Sequence, residues 1–298
     1  MNRITSGQLC AMGLIGEAAA LFCMAGDIGW KTAAGFAAAA VILFAAVLPF
    51  ALSYDRGGRL SRGAELVLLV WTVYWGGRLF SMQWRASEVI YIPCENSGGI
   101  AGKLLVSGLI GAVCLYISST GAKALGRASV IAAALGVVCL AAAAVSAAKS
   151  HDWDRLRRSG SSLSFTGELV RGLKAGGGAG AFAVLLGVQS GKKSRSTAVF
   201  FASKVILSTA VIITAVLVSG GIMSTVRLPV VAAAQLSQPF PSQRIDPLFL
   251  IVFTVYIVFS TAVQTAAAAY LIRRLVPKLS HFTSLTAILL MAASALMI

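Results

Sequence analysis

One carboxylate interrupts the first apolar run of the chain. Glu17 stands in "GLIGEAAALF", with Gly13 and Gly16 just before it. An acid near mid-membrane costs roughly 2.5–3.5 kcal/mol on insertion scales, so it must face the bundle interior and find a partner. Gly13, Gly16, Glu17 and Ala20 follow the i, i+3, i+4, i+7 spacing of one helical face. Such a face serves either close helix packing or a site where a ligand meets bare backbone.

Two other stretches could share a site with Glu17. "KAGGGAGAFAVLLGVQSG" opens with Gly176, Gly177, Gly178 and Gly180, followed by Phe182. Each glycine costs a helix about 1 kcal/mol relative to alanine, so an interruption is expected there. Interrupted spans expose N–H and C=O groups at mid-depth, which hold polar groups of a solute. "WTVYWGGRLF" places Trp71, Tyr74, Trp75 and Arg78 at i, i+3, i+4, i+7. Arg78 is the natural partner for Glu17, unless its stem carries the charge outward to the membrane surface. Lys204 is expected to snorkel in the same way. Tyr256 and Gln264 are polar enough to line a cavity. The candidate ligand-binding residues are Gly13, Gly16, Glu17, Tyr74, Trp75, Arg78, Gly177, Gly178, Gly180 and Phe182.

Other chemistries find little support. The five cysteines are Cys10, Cys23, Cys94, Cys114 and Cys139, with no C-x-x-C pair and no Cys/His metal spacing. His151 and His281 fall at the edges of apolar segments. No nucleophile–base pair, metal-ligand cluster or phosphate loop is present, so no enzyme, metal or cofactor is expected.

The elements that must position these residues are membrane helices. Of 298 residues, 58% are hydrophobic and 12% charged, about half the charged share of a soluble domain. The mean hydropathy is +0.85. Nine apolar segments recur, at about 8–25, 32–53, 64–85, 101–120, 126–148, 175–190, 197–219, 246–272 and 281–298. Backbone groups in lipid must be satisfied internally, so these are helices in one transmembrane domain, 1–298.

The net charge of +15 excludes nothing by itself, but its distribution excludes nucleic-acid binding. Lysine and arginine gather in alternate short loops: Arg56, Arg59 and Arg62; Lys123 and Arg127; Lys192, Lys193 and Arg195; Arg273, Arg274 and Lys278. The intervening loops carry Asp27, Glu88 and Glu95. The positive-inside rule then puts the N-terminus in the cytoplasm. The first segment reads as an uncleaved helix, because Glu17 breaks the apolar core a signal peptide needs.

Glycine-interrupted segments leading two five-helix halves point to a five-plus-five inverted-repeat transporter fold with helices 1 and 6 broken. The last run reaches Ile298 without a polar tail, as if the tenth helix were lacking.

Three stretches carry a family resemblance. "GAKALGRASVIAAALGVV" sets Gly121 and Arg127 six apart at the start of the fifth helix. "VRLPVVAAAQLSQPFPSQRIDPLFLIVFTV" contains Pro229, Phe240, Arg244 and Asp246, and "ITSGQL" contains Ser6, Gln8 and Leu9. These resemble the B-subunit family of spore germinant receptors, the endospore germination permeases, within the amino acid–polyamine–organocation transporter superfamily. The resemblance implies A-type and lipoprotein C-type partner subunits in the spore inner membrane. It implies a small nutrient ligand, typically an amino acid, held between the first, third, sixth and eighth helices.

Three functions remain open at this level. One is a ligand-sensing receptor subunit. The second is a proton-coupled amino-acid transporter with Glu17 as the coupling site. The third is a scaffold subunit that binds nothing.

Overall fold

The computed structural model describes residues 3–58, 60–90, 100–150, 154, 159, 163–219, 228–237, 246–279 and 282–297. Cys94, His151, Phe240, Arg244 and His281 lie outside them, as does the side chain of Asp246. The described residues form helices α1 (Ser6–Phe22), α2 (Trp30–Asp55), α3 (Arg62–Ile90), α4 (Ile100–Ser119) and α5 (Ala122–Ser150). These are followed by α6 (Phe165–Ala175), α7 (Gly178–Leu185), α8 (Lys193–Ser219), α9 (Pro229–Leu236), α10 (Asp246–Leu275) and α11 (Thr283–Met297). The only bridge outside the helices, among the described residues, pairs Ile4 with Gln189.

Each of the nine expected apolar segments coincides with a helix. By length and apolarity, α2, α8, residues Ala122–Ala148 of α5 and Leu248–Leu275 of α10 can each cross a bilayer alone. The α6–α7 pair makes a fifth crossing if counted as one bent span, and α1, Gly108–Ser119 and α11 are shorter apolar helices.

Helix α1 is the central post. It packs against α5, α7, α8 and α10, and almost all of it from Leu9 to Phe22 is buried. Its start is written locally. Thr5 accepts a hydrogen bond from the Gln8 backbone N–H at 3.3 Å, and the Gln8 side chain accepts from the Thr5 N–H at 3.0 Å. That reciprocal box satisfies two of the donors a helix N-terminus leaves free. The expectation of a broken first helix is corrected here: α1 runs without interruption from Ser6 to Phe22 and ends at Cys23. Two isolated glycines cost too little to stop a helix whose neighbours are alanine, leucine and isoleucine.

The sixth span is broken, as expected, but it begins earlier than the hydropathy placed it. The apolar pattern leaves residues 165–174 between the fifth and sixth segments, whereas Phe165–Ala175 is helical. Its polar side carries Glu168, Arg171 and Lys174, which hid it from an apolar count. The face that carries Glu168 and Gly172 packs on α2 through glycines. A methyl group on Gly35 would lie 2.7 Å from Glu168 Cβ, and one on Gly172 would lie 2.9 Å from Ala39 Cβ. In a membrane, where lipid tails are as apolar as leucine, such close backbone approach supplies the packing energy. After Gly176 and Gly177 the chain restarts as α7, bent by 44° from α6, and a 3-10 turn at Leu186–Val188 completes the crossing. Every residue of α7 is buried.

The outer helices show the opposite pattern. Val41, Ile42, Val67, Val70, Tyr116 and Ile131 are exposed large apolar side chains, the surface a lipid-facing bundle presents. Pro229, in the stretch used for the resemblance, occupies the first turn of α9, where a missing N–H costs nothing.

Candidate functional site

The break between α6 and α7 collects groups from four other helices. Glu17 on α1 and Lys204 on α8 form an ion pair, Oε2 to Nζ 2.9 Å, with side-chain exposures of 5% and 3%. The carboxylate reaches the start of α7: a methyl group on Gly178 would lie 3.0 Å from Glu17 Oε1 and 2.9 Å from the Gly13 carbonyl oxygen. The ammonium reaches the end of α6: a methyl group on Gly176 would lie 3.0 Å from Lys204 Nζ. A helix N-terminus carries about half a positive charge and a C-terminus about half a negative one. Each side chain therefore sits at the helix end of opposite sign.

The remaining contacts close the break. Gln264 on α10 donates from Nε2 to the Gly177 carbonyl at 3.1 Å, satisfying an acceptor that the interruption frees. Trp75 on α3 covers Gly177 so closely that no Cβ fits between them. Trp71 lies against Gly180, with its Cγ 3.3 Å from a methyl position there. Gly16 on α1 meets Gly178, its methyl position 3.3 Å from the Gly178 Cα and 3.6 Å from Ser260 Oγ. Glycine is needed at these crossings for room, since the left-handed glycines among the described residues are elsewhere, at Gly26, Gly57, Gly121 and Gly191.

Most of the sequence-predicted residues gather here. Gly13, Gly16, Glu17, Trp75, Gly177, Gly178 and Gly180 are within this cluster. Four assignments change. Arg78 does not pair with Glu17; its guanidinium carbon lies 5.3 Å from the Trp75 ring centroid and it lines a cavity further out. Lys204 does not snorkel; it is 2% exposed and its stem runs inward to Glu17. Tyr74 is 43% exposed and stands outside the cluster. On a helical wheel Trp71, Trp75 and Arg78 span about 60°, while Tyr74 sits about 100° from Trp75. Phe182 is fully buried and stacks on Phe200, centroids 4.2 Å apart, so it forms a packed floor.

The residues missed were Lys204 and Ser260, and Gln264 was not aimed. Lys204 had a readable signal, an ammonium well inside an apolar run, where function is the default. Gln264 showed only its polarity and Ser260 nothing, because only packing decides which face of α10 meets the break.

A cavity of about 590 Å³ lies by the α1–α2 connection, on the side that the loop charges predict to be the outer one. Arg78, Asp27, Arg171, Lys174, Cys23 and Met82 line it, and it reaches Ala20 and Ala175. Ala20 is one helical turn from Glu17, and Ala175 adjoins Gly176. A latch crosses this end of the molecule. Arg171 donates from Nη1 to the Asp27 carbonyl at 2.6 Å, and from Nη2 to the carbonyls of Ala25 and Gly26. Its Nη1 also lies 3.4 Å from buried Glu168. The start of the sixth span is thereby tied to the end of α1.

The opposite end is also closed. The Asp55 carboxylate accepts from the backbone N–H groups of Lys193 at 2.7 Å and Ser194 at 2.9 Å, capping α8. Glu65 on α3 pairs with Arg274 on α10 at 2.7 Å. Ser190 N–H donates to the Ile4 carbonyl at 2.9 Å, holding the chain before α1 to the end of the sixth span.

No protein-family model matches this chain, and no curated protein sequence matches it. A solved structure that does resemble it is MHP1, a nucleobase-cation-symport-1 family transporter, in a closed conformation with bromovinylhydantoin bound. The TM-score is 0.65 at 13% sequence identity, over 99% of this chain and 72% of that one. At this identity the likeness is one of fold. The chain is an integral membrane protein with a polytopic helical transporter fold. That agrees with the transporter fold expected from the sequence and does not extend to the germinant-receptor family.

Proposed function

We propose that this chain binds a small polar solute at the break of its sixth span, and that binding shifts how α6 and α7 pack against α1 and α8. The observation that carries the reading is the buried Glu17–Lys204 pair set in the gap between two helix ends. Two charges removed from water cost several kcal/mol each before their attraction returns part of it. Such groups inside a membrane default to function. The outer cavity gives the solute a way to the break, ending one turn from Glu17. The latch at Arg171 and the contacts at Asp55 and Ser190 describe a form shut at both ends. A solute moves such an equilibrium only by its difference in affinity for the open and shut forms. The fold likeness to a transporter that holds a small ligand supports this reading. We assign the lining to Gly13, Gly16, Glu17, Trp75, Gly177, Gly178 and Gly180, add Lys204, Ser260 and Gln264, and place Arg78 in the cavity that leads to it.

What binding achieves has two readings. The fold likeness favours solute transport across the membrane, with Glu17 placed to exchange a proton. The sequence stretches at Ser6–Leu9, Gly121–Arg127 and Pro229–Asp246 favour a nutrient-sensing subunit of a spore germinant receptor, working with A-type and lipoprotein C-type subunits. One reconstitution tests both. The purified chain in proteoliposomes is given labelled small solutes, and binding and uptake are read separately. Binding with uptake that Glu17→Gln abolishes supports transport. Binding without uptake supports sensing. A folded chain that binds no solute at millimolar concentration would leave only the scaffold reading.

A further inference from the structure

We infer that the break in the sixth span takes an uncharged solute with N–H or O–H donors beside a carbonyl-type acceptor, and takes neither a metal cation nor a zwitterion. This rests on the solute-binding reading above and adds the class of solute. It departs from the amino-acid expectation drawn from the family resemblance.

The charges at the break already cancel. An interrupted membrane helix attracts ions and ionised solute groups through its two bare ends. Here the α7 start faces Glu17 and the α6 end faces Lys204, and those two side chains meet each other at 2.9 Å. The other charged groups on the packed helices are spent or distant. On α6, Glu168 and Arg171 pair with one another, and Lys174 is exposed. On α3 and α10, Glu65 and Arg274 pair at the inner end. On α2 and α8, Lys31, Asp55, Lys193 and Arg195 lie at the helix ends. The charged groups nearest the methyl positions of Gly176 and Gly178 are Lys204 Nζ and Glu17 Oε1, each at 3.0 Å. An added ion would bring net charge into a closed, low-dielectric place with no free counter-charge, which burial penalises heavily. A zwitterion would have to part Glu17 from Lys204 and replace each contact one for one.

What the break lacks is neutral. Glu17 Oε1, Ser260 Oγ and Gln264 Oε1 are buried and have no hydrogen-bond partner. They come from two helices: Glu17 lies at Gly178, Gln264 at Gly177, and Ser260 beside Gly16 where Gly16 packs on Gly178. Two are acceptors outright, and a hydroxyl accepts as readily as it donates. Unpaired acceptors in a buried place call for donors. An ammonium has three donors, so Lys204 keeps some beyond its contact with Glu17 and can meet a carbonyl. An amide-type solute supplies both sides and leaves the ion pair whole.

The cationic groups of the outer cavity make the competing case: Arg78, Arg171 and Lys174 line it with Asp27, and with Arg171 paired to Glu168 only Asp27 faces the other two. Asp27 leaves one of them uncompensated, so an anion would stop there, outward of the break.

The test uses the full chain in lipid nanodiscs and reads the midpoint of thermal unfolding. The probes are uracil, 2-pyrrolidone and acetamide, then alanine, benzoate, and sodium chloride against N-methylglucamine chloride at equal ionic strength. The uncharged amides should raise the midpoint saturably and equally in both salts. Gln264→Leu should weaken them by about tenfold, the scale of one buried hydrogen bond left unmade. A response to alanine or benzoate that disappears in Arg78→Gln supports the inference, since it puts the charge in the outer cavity. The same response surviving Arg78→Gln overturns it, as does a saturable rise with sodium in the wild type. Lys204→Met, which strips Glu17 of its counter-charge, should gain a sodium-dependent rise. A folded variant indifferent to sodium counts against the inference, and if the variant does not fold the wild-type series decides. A response to charged probes alone overturns this inference and leaves solute binding standing. Silence to every probe removes both.

Discussion

The ammonium of Lys204 lies 2.9 Å from the carboxylate of Glu17, and the two side chains bridge α8 and α1 beside the only glycine-broken crossing among the described residues. Neither partner is exposed enough for water to replace the other. Breaking such a pair from one side costs about 3–5 kcal/mol, because the survivor stays charged and buried, while removing both charges costs much less. Glu17→Gln and Lys204→Met should therefore each lower the unfolding midpoint strongly. The double variant should recover most of the loss. A double-mutant cycle on purified protein in nanodiscs measures the coupling, and simple additivity would contradict the pairing.

The glycines at the break should not tolerate a methyl group. In Gly177→Ala the new carbon overlaps the Trp75 ring, and in Gly178→Ala it meets the Gly13 carbonyl at 2.9 Å. Either change should destabilise by about 1–3 kcal/mol, the usual cost of overpacking. Gly7 and Gly63 are helical positions with nothing within 4 Å of a new methyl group. Alanine there should be neutral or stabilise by up to about 1 kcal/mol. Thermal unfolding of the four variants separates tight packing from simple helix propensity.

Arg171 should govern access from the outer side. It joins the start of α6 to three carbonyls after α1, and Cys23 lines the cavity beneath at 7% exposure. In Arg171→Gln the latch is lost, and a membrane-impermeant thiol reagent should label Cys23 several-fold faster. Mass spectrometry of the labelled chain assigns the site. An unchanged rate would show that Arg171 holds nothing shut.

Asp55 should matter for the inner end of α8. Its carboxylate takes two backbone N–H groups at 2.7 and 2.9 Å, the job of a capping residue supplied from another helix. Asp55→Ala should cost about 0.5–2 kcal/mol, as cap removal does. Asp55→Asn keeps one acceptor and should cost less. Hydrogen exchange at the first turn of α8 reads the local loss directly.

Much of this architecture could be read before any coordinates existed. Long apolar runs separated by basic loops specify helices and their order, because a bilayer leaves the backbone no other way to satisfy its polar groups. Three adjacent glycines specify where the sixth crossing breaks, because helix propensity is local. The same rule, applied to Gly13 and Gly16, overreached: two separated glycines thin a helix face without stopping it, and α1 passes unbroken. The polar side of Phe165–Ala175 misled the hydropathy in the other direction, since Glu168 is buried by pairing and not by apolarity.

Partnership was beyond the sequence. Composition showed that Glu17 needed a positive charge, and both Arg78 and Lys204 were available. Only the packing of α8 against α1 selected Lys204, and only the placement of α10 aimed Ser260 and Gln264 at the same gap. Burial cost is a property of one residue in its own helix, so the chain itself determines it. The meeting of two side chains nearly two hundred residues apart depends on helix rotation and depth, and those are set by contacts that no local stretch encodes.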